Sequence, residues 1–125
     1  MDFISEFDAP SASNKELAKI SGTHVENNRA YKGFNFFSAQ DQHLFEIIVR
    51  GEYMVSGLRN ADLKQHLQGV SSGRISRLLK RLRVHGLIKR IGRTYKYYLT
   101  ALGRRAVITG LKLKEQFILP ALANG

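Results

Sequence analysis

No cysteine occurs in the 125-residue chain. That excludes a disulfide framework and any thiolate metal site, and it fits a reducing compartment. The opening run MDFISEFDAPSAS is acidic and has no apolar stretch, so no secretory signal peptide is expected. No apolar run approaches the roughly 20 residues that span a bilayer. The expectation is a cytoplasmic protein with no membrane partner. His24, His43, His66 and His85 are scattered, and none lies in a metal-ligand spacing. His43 and Glu46 stand three residues apart on one predicted helix, a pair read as structural. No glycine-rich phosphate loop is present. Catalytic residues, metal ligands and cofactors are therefore left unassigned, and the chain reads as a binding module rather than an enzyme.

Acids are almost missing from the second half. None falls between Leu63 and Lys114, a span that holds fourteen Lys or Arg residues. The first 62 residues carry nine acids and six bases, a net of −3, whereas the remaining 63 carry fourteen bases and one acid, a net of +13. A formal charge of +10 segregated in this way points to a polyanionic partner. Hydrophobic residues make up 43% of the chain, enough for the core of one compact domain. A chain of this size buries about two-thirds of its unfolded surface.

Residues 1–33 read as an N-terminal arm, because Pro10, several Ser, Gly22, Asn27 and Asn28 interrupt any periodicity. One short helix is expected there at SNKELAKI, where Ser13 and Glu16 have capping-box spacing. Residues 34–125 read as the folded domain. GFNFF, from Gly33 to Phe37, supplies three aromatics to plug the edge of a core. Ser38 caps a helix over SAQDQHLFEIIVRG whose buried face is Leu44, Phe45, Ile47, Ile48 and Val49, with Gly51 as its stop. EYMVSGLR reads as a very short strand before a turn at Ser56 and Gly57. Asn60 caps the short helix ADLKQHLQ, and Gly69 ends it.

Ser71 or Ser72 then caps the most regular helix in the chain. Ile75, Leu78, Leu79 and Leu82 form one apolar stripe at helical spacing. Gly73, Arg77, Lys80 and Val84 point away from it, with Arg74, Ser76, Arg81 and Arg83 on the flanks. At Gly86 the hydrophobic period changes to that of strands: LIKRI, a tight GRT and YKYYLT form a hairpin pattern. Thr100 reads as the cap of a last helix, with 104–125 as the C-terminal helix of the domain and Pro120 as its kink or end. A short helix, a brief turn and a basic helix make a helix-turn-helix layout, and the hairpin behind them is a wing. The expected fold class is mainly α (α+β), a winged helix-turn-helix with a β-hairpin wing and a C-terminal helix.

The stretch NADLKQHL…SSGRISRLLKRLRVHGLIKRIGRTYKYYLTALGRR resembles the winged helix-turn-helix of bacterial MarR-like and ArsR-like regulators. RLLKRLRVHGLI resembles their recognition helix and first wing strand, and YYLTALGRR is similar to their "LT..G" junction between wing and C-terminal helix. The chain is also similar to the C-terminal region of larger uncharacterised bacterial proteins, around RGEYMVSGLRNADL. That second likeness implies one module of a longer polypeptide. The resemblance implies double-stranded DNA as partner, a role as transcriptional regulator or DNA-targeting module, and association with the nucleoid.

The residues support a mechanism of the same kind. The N-terminal part of a recognition helix meets base edges in the major groove. Here that part offers Ser71, Ser72, Gly73, Arg74, Ser76 and Arg77. Lys80, Arg81 and Arg83 lie further along and are assigned to phosphates, and Lys89, Arg90, Arg93, Thr94 and Lys96 are the contacts of the wing, on phosphates or, at the Arg93 tip, in the minor groove. Tyr95, Tyr97 and Tyr98 are either structural or a stacking platform for single strands. The apolar residues of the last helix, among them Val107, Leu111, Ile118 and Leu122, serve either a homodimer or packing onto the first long helix. Two alternatives stand beside duplex binding: a protein-interaction or oligomerisation winged-helix module, and RNA or single-stranded nucleic-acid binding through the wing.

Overall fold

Ser13 begins the part of the chain that the computed structural model describes, residues 13–113 and 115. Its hydroxyl accepts from the Glu16 amide at 3.1 Å, and the Glu16 carboxylate accepts from the Ser13 amide at 3.0 Å. This is the reciprocal cap that the spacing predicts, and it starts α1 (Asn14–Ser21). The chain then forms an unexpected hairpin of β1 (His24–Glu26) and β2 (Arg29–Tyr31), paired His24 to Tyr31 and Glu26 to Arg29. Asn27 and Asn28 turn it with φ of 53° and 63°. Positive φ at both central residues matches the twist of the flanking strands, and Asn tolerates that conformation. The described part of the expected arm is thus a helix and a hairpin; residues 1–12 lie outside the described residues.

This N-terminal unit is fastened by side chains of the basic half. Arg105 reaches Glu16 at 2.6 Å, and Arg83 reaches Glu26 at 2.7 Å. Buried His85 places Nδ1 2.8 Å from the Arg81 carbonyl and Nε2 3.0 Å from the Gly22 carbonyl. Burial pushes its imidazole below the ordinary histidine value, against the pull of those two carbonyls. The hydrogen bond from Arg105 holds Glu16 below the usual carboxylate range, and the one from Arg83 does the same for Glu26. The fold therefore favours both carboxylates ionised. Their contribution is present above the ordinary carboxylate pKa and is lost as pH falls through the lowered folded values. Thermal midpoints measured from about pH 5 to about pH 3 should fall, and Glu16→Gln with Glu26→Gln should flatten that fall. Equal acid sensitivity in the double variant would remove these pairs as its cause.

Six helices and two two-stranded antiparallel sheets are found among the described residues, an α+β domain. Ser38 caps α2 (Ala39–Ile48), accepting from the Asp41 amide at 3.4 Å. Leu44, Phe45, Ile47 and Ile48 are buried as their spacing predicts, and Val49 is half-buried. Of the three aromatics in GFNFF, Phe34 and Phe36 enter the core, whereas Phe37 is exposed. Gly51 does not stop α2, which ends at Ile48, but begins α3 (Gly51–Ser56). The segment expected as a strand is therefore helical. The Arg50 carbonyl starts it by accepting from the Tyr53 and Met54 amides, and the Tyr53 hydroxyl lies 2.7 Å from His66 Nε2. Only Leu58 is strand-like, exchanging two backbone hydrogen bonds with Tyr97.

α4 (Asn60–His66) and α5 (Ser72–Val84) follow, then β3 (Ile88–Arg90) and β4 (Tyr97–Leu99). Arg59, not Asn60, is the residue preceding α4, and its amide donates to the Asp62 carboxylate at 2.8 Å. Ser71 caps α5, accepting from the Arg74 amide. Ile75, Leu79 and Leu82 are fully or nearly fully buried, each stabilising by about 1.5–3 kcal/mol over an exposed position. Gly86, at φ 78°, lets the chain leave α5 and enter β3. Ile91 donates to the Lys96 carbonyl at 3.2 Å, so four residues, Gly92 to Tyr95, form the tip where a shorter connection was expected.

Thr100 caps α6 (Ala101–Leu113), which starts three residues before the boundary read from the sequence. Its hydroxyl accepts from the Gly103 amide at 2.8 Å and donates to the Gly86 carbonyl at 2.6 Å. Helix start, turn and strand are thereby tied at one atom. α6 packs on α2 and touches α1. Val107 is fully buried in the core of this chain and Leu111 packs against it. Ile118 and Leu122 lie outside the described residues.

Candidate nucleic-acid interface

α4 sets the position of α5. Asn60 Nδ2 donates to the Ser72 carbonyl at 3.2 Å and to the Ser76 hydroxyl at 2.9 Å, while Lys64 Nζ donates to the Ser72 hydroxyl at 3.2 Å. Ser72 and Ser76 thus face α4, and Ser71 serves the helix cap, although all three remain solvent-exposed. Gly73, Arg74 and Arg77 occupy the outward side of the same turns. Neither guanidinium has a hydrogen bond or ion pair among the described residues. Between them runs an open groove of about 190 Å³ lined by Arg74, Arg77, Leu78 and Arg81.

The charge at this end of α5 is opposite to what the helix itself prefers. Carboxylates are favourable in a first helical turn, where unpaired amides are partly positive. α5 has no acid there and carries Arg74 instead. Such an end favours an incoming anion, which meets both the amides and the cations.

The C-terminal half of α5 is different. Arg81 and Arg83 were expected on phosphates, but both are engaged within the chain. Arg81 donates to the carbonyls of Lys32 (2.8 Å) and Gly33, sits 3.7 Å from Asp41 and stacks 3.9 Å over the Phe34 ring. Arg83 holds Glu26 as described. Lys80 Nζ lies 5.8 Å from the centre of the Tyr31 ring and is half-buried. The β1–β2 hairpin and the loop after it therefore cover this half, and leave the N-terminal half open.

Beyond α5, the β3–β4 hairpin exposes Lys89, Arg90 and Arg93, with Lys96 half-buried. Its tip is braced from within. Arg90 Nε donates to the Thr94 carbonyl at 2.6 Å and its guanidinium stacks 5.3 Å from the Tyr95 ring, while the Thr94 hydroxyl donates to the Ile91 carbonyl at 2.6 Å. Thr94 is thus a brace of the tip. Tyr97 and Tyr98 are half-buried, and Tyr95 is 79% exposed. The arrangement brings two cationic surfaces, the open half of α5 and the β3–β4 tip, onto one small domain. No family model, curated protein or solved structure matches this chain.

No helix among the described residues is long and apolar enough to cross a membrane. Arg29 and Lys32, exposed on or just after β2, were not picked out from the sequence as binding residues. The Asn27–Asn28 pair was the available signal, because it marks a two-residue turn that would present them.

Proposed function

We propose that the chain is a winged helix-turn-helix module that binds duplex DNA, with α5 as recognition helix and the β3–β4 tip as wing. The order α2, Leu58 bridge, α4, α5, β3–β4, α6 supports this reading. The single observation that carries it is the open N-terminal half of α5, where Gly73 permits close approach and the Arg74 and Arg77 guanidiniums are exposed and unpaired. Arginine can meet guanine bidentately in the major groove, and the serines beside it can donate to several base edges. Lys89, Arg90, Arg93 and Lys96 then serve phosphates or the minor groove. A role in transcriptional control or DNA targeting within the nucleoid follows from sequence-selective duplex binding.

Titrating a duplex with the protein at several salt concentrations tests this. Affinity should fall steeply with salt, and Arg93→Ala should reduce the slope by about one without changing base preference. Absence of salt-sensitive binding to any duplex defeats the proposal. A second reading is favoured by Tyr95, whose exposed ring beside Arg90 could stack on an unpaired base. It requires single-stranded DNA or RNA to outcompete duplex, and Tyr95→Ala to cost about 1–3 kcal/mol.

A further inference from the structure

The β1–β2 hairpin lies against the C-terminal half of α5, and between them runs an open groove of about 270 Å³. Arg29, Lys32, Arg77, Lys80 and Arg81 line it, from two segments separated by more than forty residues in the chain. Their charges are not matched locally. Arg81 has Asp41 nearby, and Lys80 feels Glu26 at the hairpin, although that carboxylate is already paired with Arg83. Arg29, Lys32, Arg77 and Lys80 have no ion pair among the described residues. Packing four such cations along one groove is unfavourable by itself and becomes favourable when an anion enters.

A second observation points the same way. Tyr31 also lines the groove, and its buried hydroxyl makes no hydrogen bond among the described residues. Buried hydroxyls are ordinarily paired, so this one is a donor in want of an acceptor. The hairpin is well suited to present such a site. Its two-residue Asn turn fixes the register of β2, and the Arg81 side chain holds the Lys32 and Gly33 carbonyls, so Arg29 and Lys32 are carried on a braced support.

We infer that the groove between the β1–β2 hairpin and α5 is a phosphate seat, in which Arg29 and Lys32 join Lys80 on the backbone of the bound duplex. The hairpin is then a second wing, at the opposite end of α5 from the helix start that reads bases. This inference rests on duplex binding as proposed above. Arg81 keeps the hairpin in place, and Arg77 stands where the phosphate seat meets the base-reading surface.

Arg29→Gln with Lys32→Gln in the full chain tests the seat by the salt dependence of duplex affinity. The double variant should lower the slope by about two and should lose about tenfold less affinity than the unaltered chain between 50 and 200 mM salt. Base preference should not change. Each single variant should lower the slope by about one, which separates lost contacts from a folding effect. An unaltered slope in the double variant, with the parent chain still binding duplex, overturns the second wing and leaves the proposed function standing. If the parent chain itself binds no duplex, both fail together.

Discussion

Arg77→Ala should cost about 1–3 kcal/mol in binding to the preferred duplex and much less on a scrambled one, so that base preference relaxes. The side chain lies on the outward face of α5, exposed and without an ion pair among the described residues. Truncation therefore removes no contact that holds the fold, and thermal stability should be nearly unchanged. Arg74→Ala should act in the same direction, because its guanidinium stands one turn earlier on the open half of the helix. Lys80→Ala should weaken all sequences evenly, since Lys80 sits beside Tyr31 at the edge of the covered half. Equal losses on preferred and scrambled duplexes for Arg77→Ala would move this residue from base readout to phosphate contact.

Gly103→Ala should lower stability by about 3 kcal/mol, at the upper end of the range for overpacking. A Cβ at this position would lie 2.0 Å from the Leu87 carbonyl oxygen and 2.8 Å from its carbonyl carbon. Both are backbone atoms of the turn between α5 and β3, so no side chain can move aside. α6 would have to lift from that turn, and the Thr100 hydroxyl would lose its bond to the Gly86 carbonyl or the cap on Gly103. A chemical denaturation midpoint measures the loss. A midpoint equal to that of the unaltered chain would show that α6 does not need this close approach.

The "LT..G" pattern thus has a local physical content in this chain: Thr100 ties three elements together, and Gly103 admits a helix against backbone. Only the cap was legible, because Thr100 and Gly103 are three positions apart; the tie to Gly86 spans 14 residues, and the approach to Leu87 joins similarly distant segments. α2 and α5 were legible from apolar stripes and serine caps, and Gly86 marks the end of α5, whereas Gly51 begins α3 instead of ending α2. α3 was not legible: VRGEYMVS has β-branched and aromatic residues typical of a strand, and its helix is held by Tyr53 against His66, thirteen residues away. Arg81 and Arg83 were misplaced for the same kind of reason. Helical geometry puts them on the flanks of α5, but their partners are carbonyls 48 and 49 residues away and a carboxylate 57 residues away. Charge pattern alone cannot distinguish a cation waiting for phosphate from one already bound to its own chain. That distinction divides the basic face into an open half and a braced half.

Selection of bound sequences from a random duplex pool at near-physiological salt tests the central claim most directly. Enrichment of one short motif, with Arg77→Ala losing that enrichment, is the predicted result, and two-fold symmetry in the motif would indicate two copies of the chain on each site. Recovery of sequences no different from the starting pool, despite binding, would contradict base readout by the open half of α5.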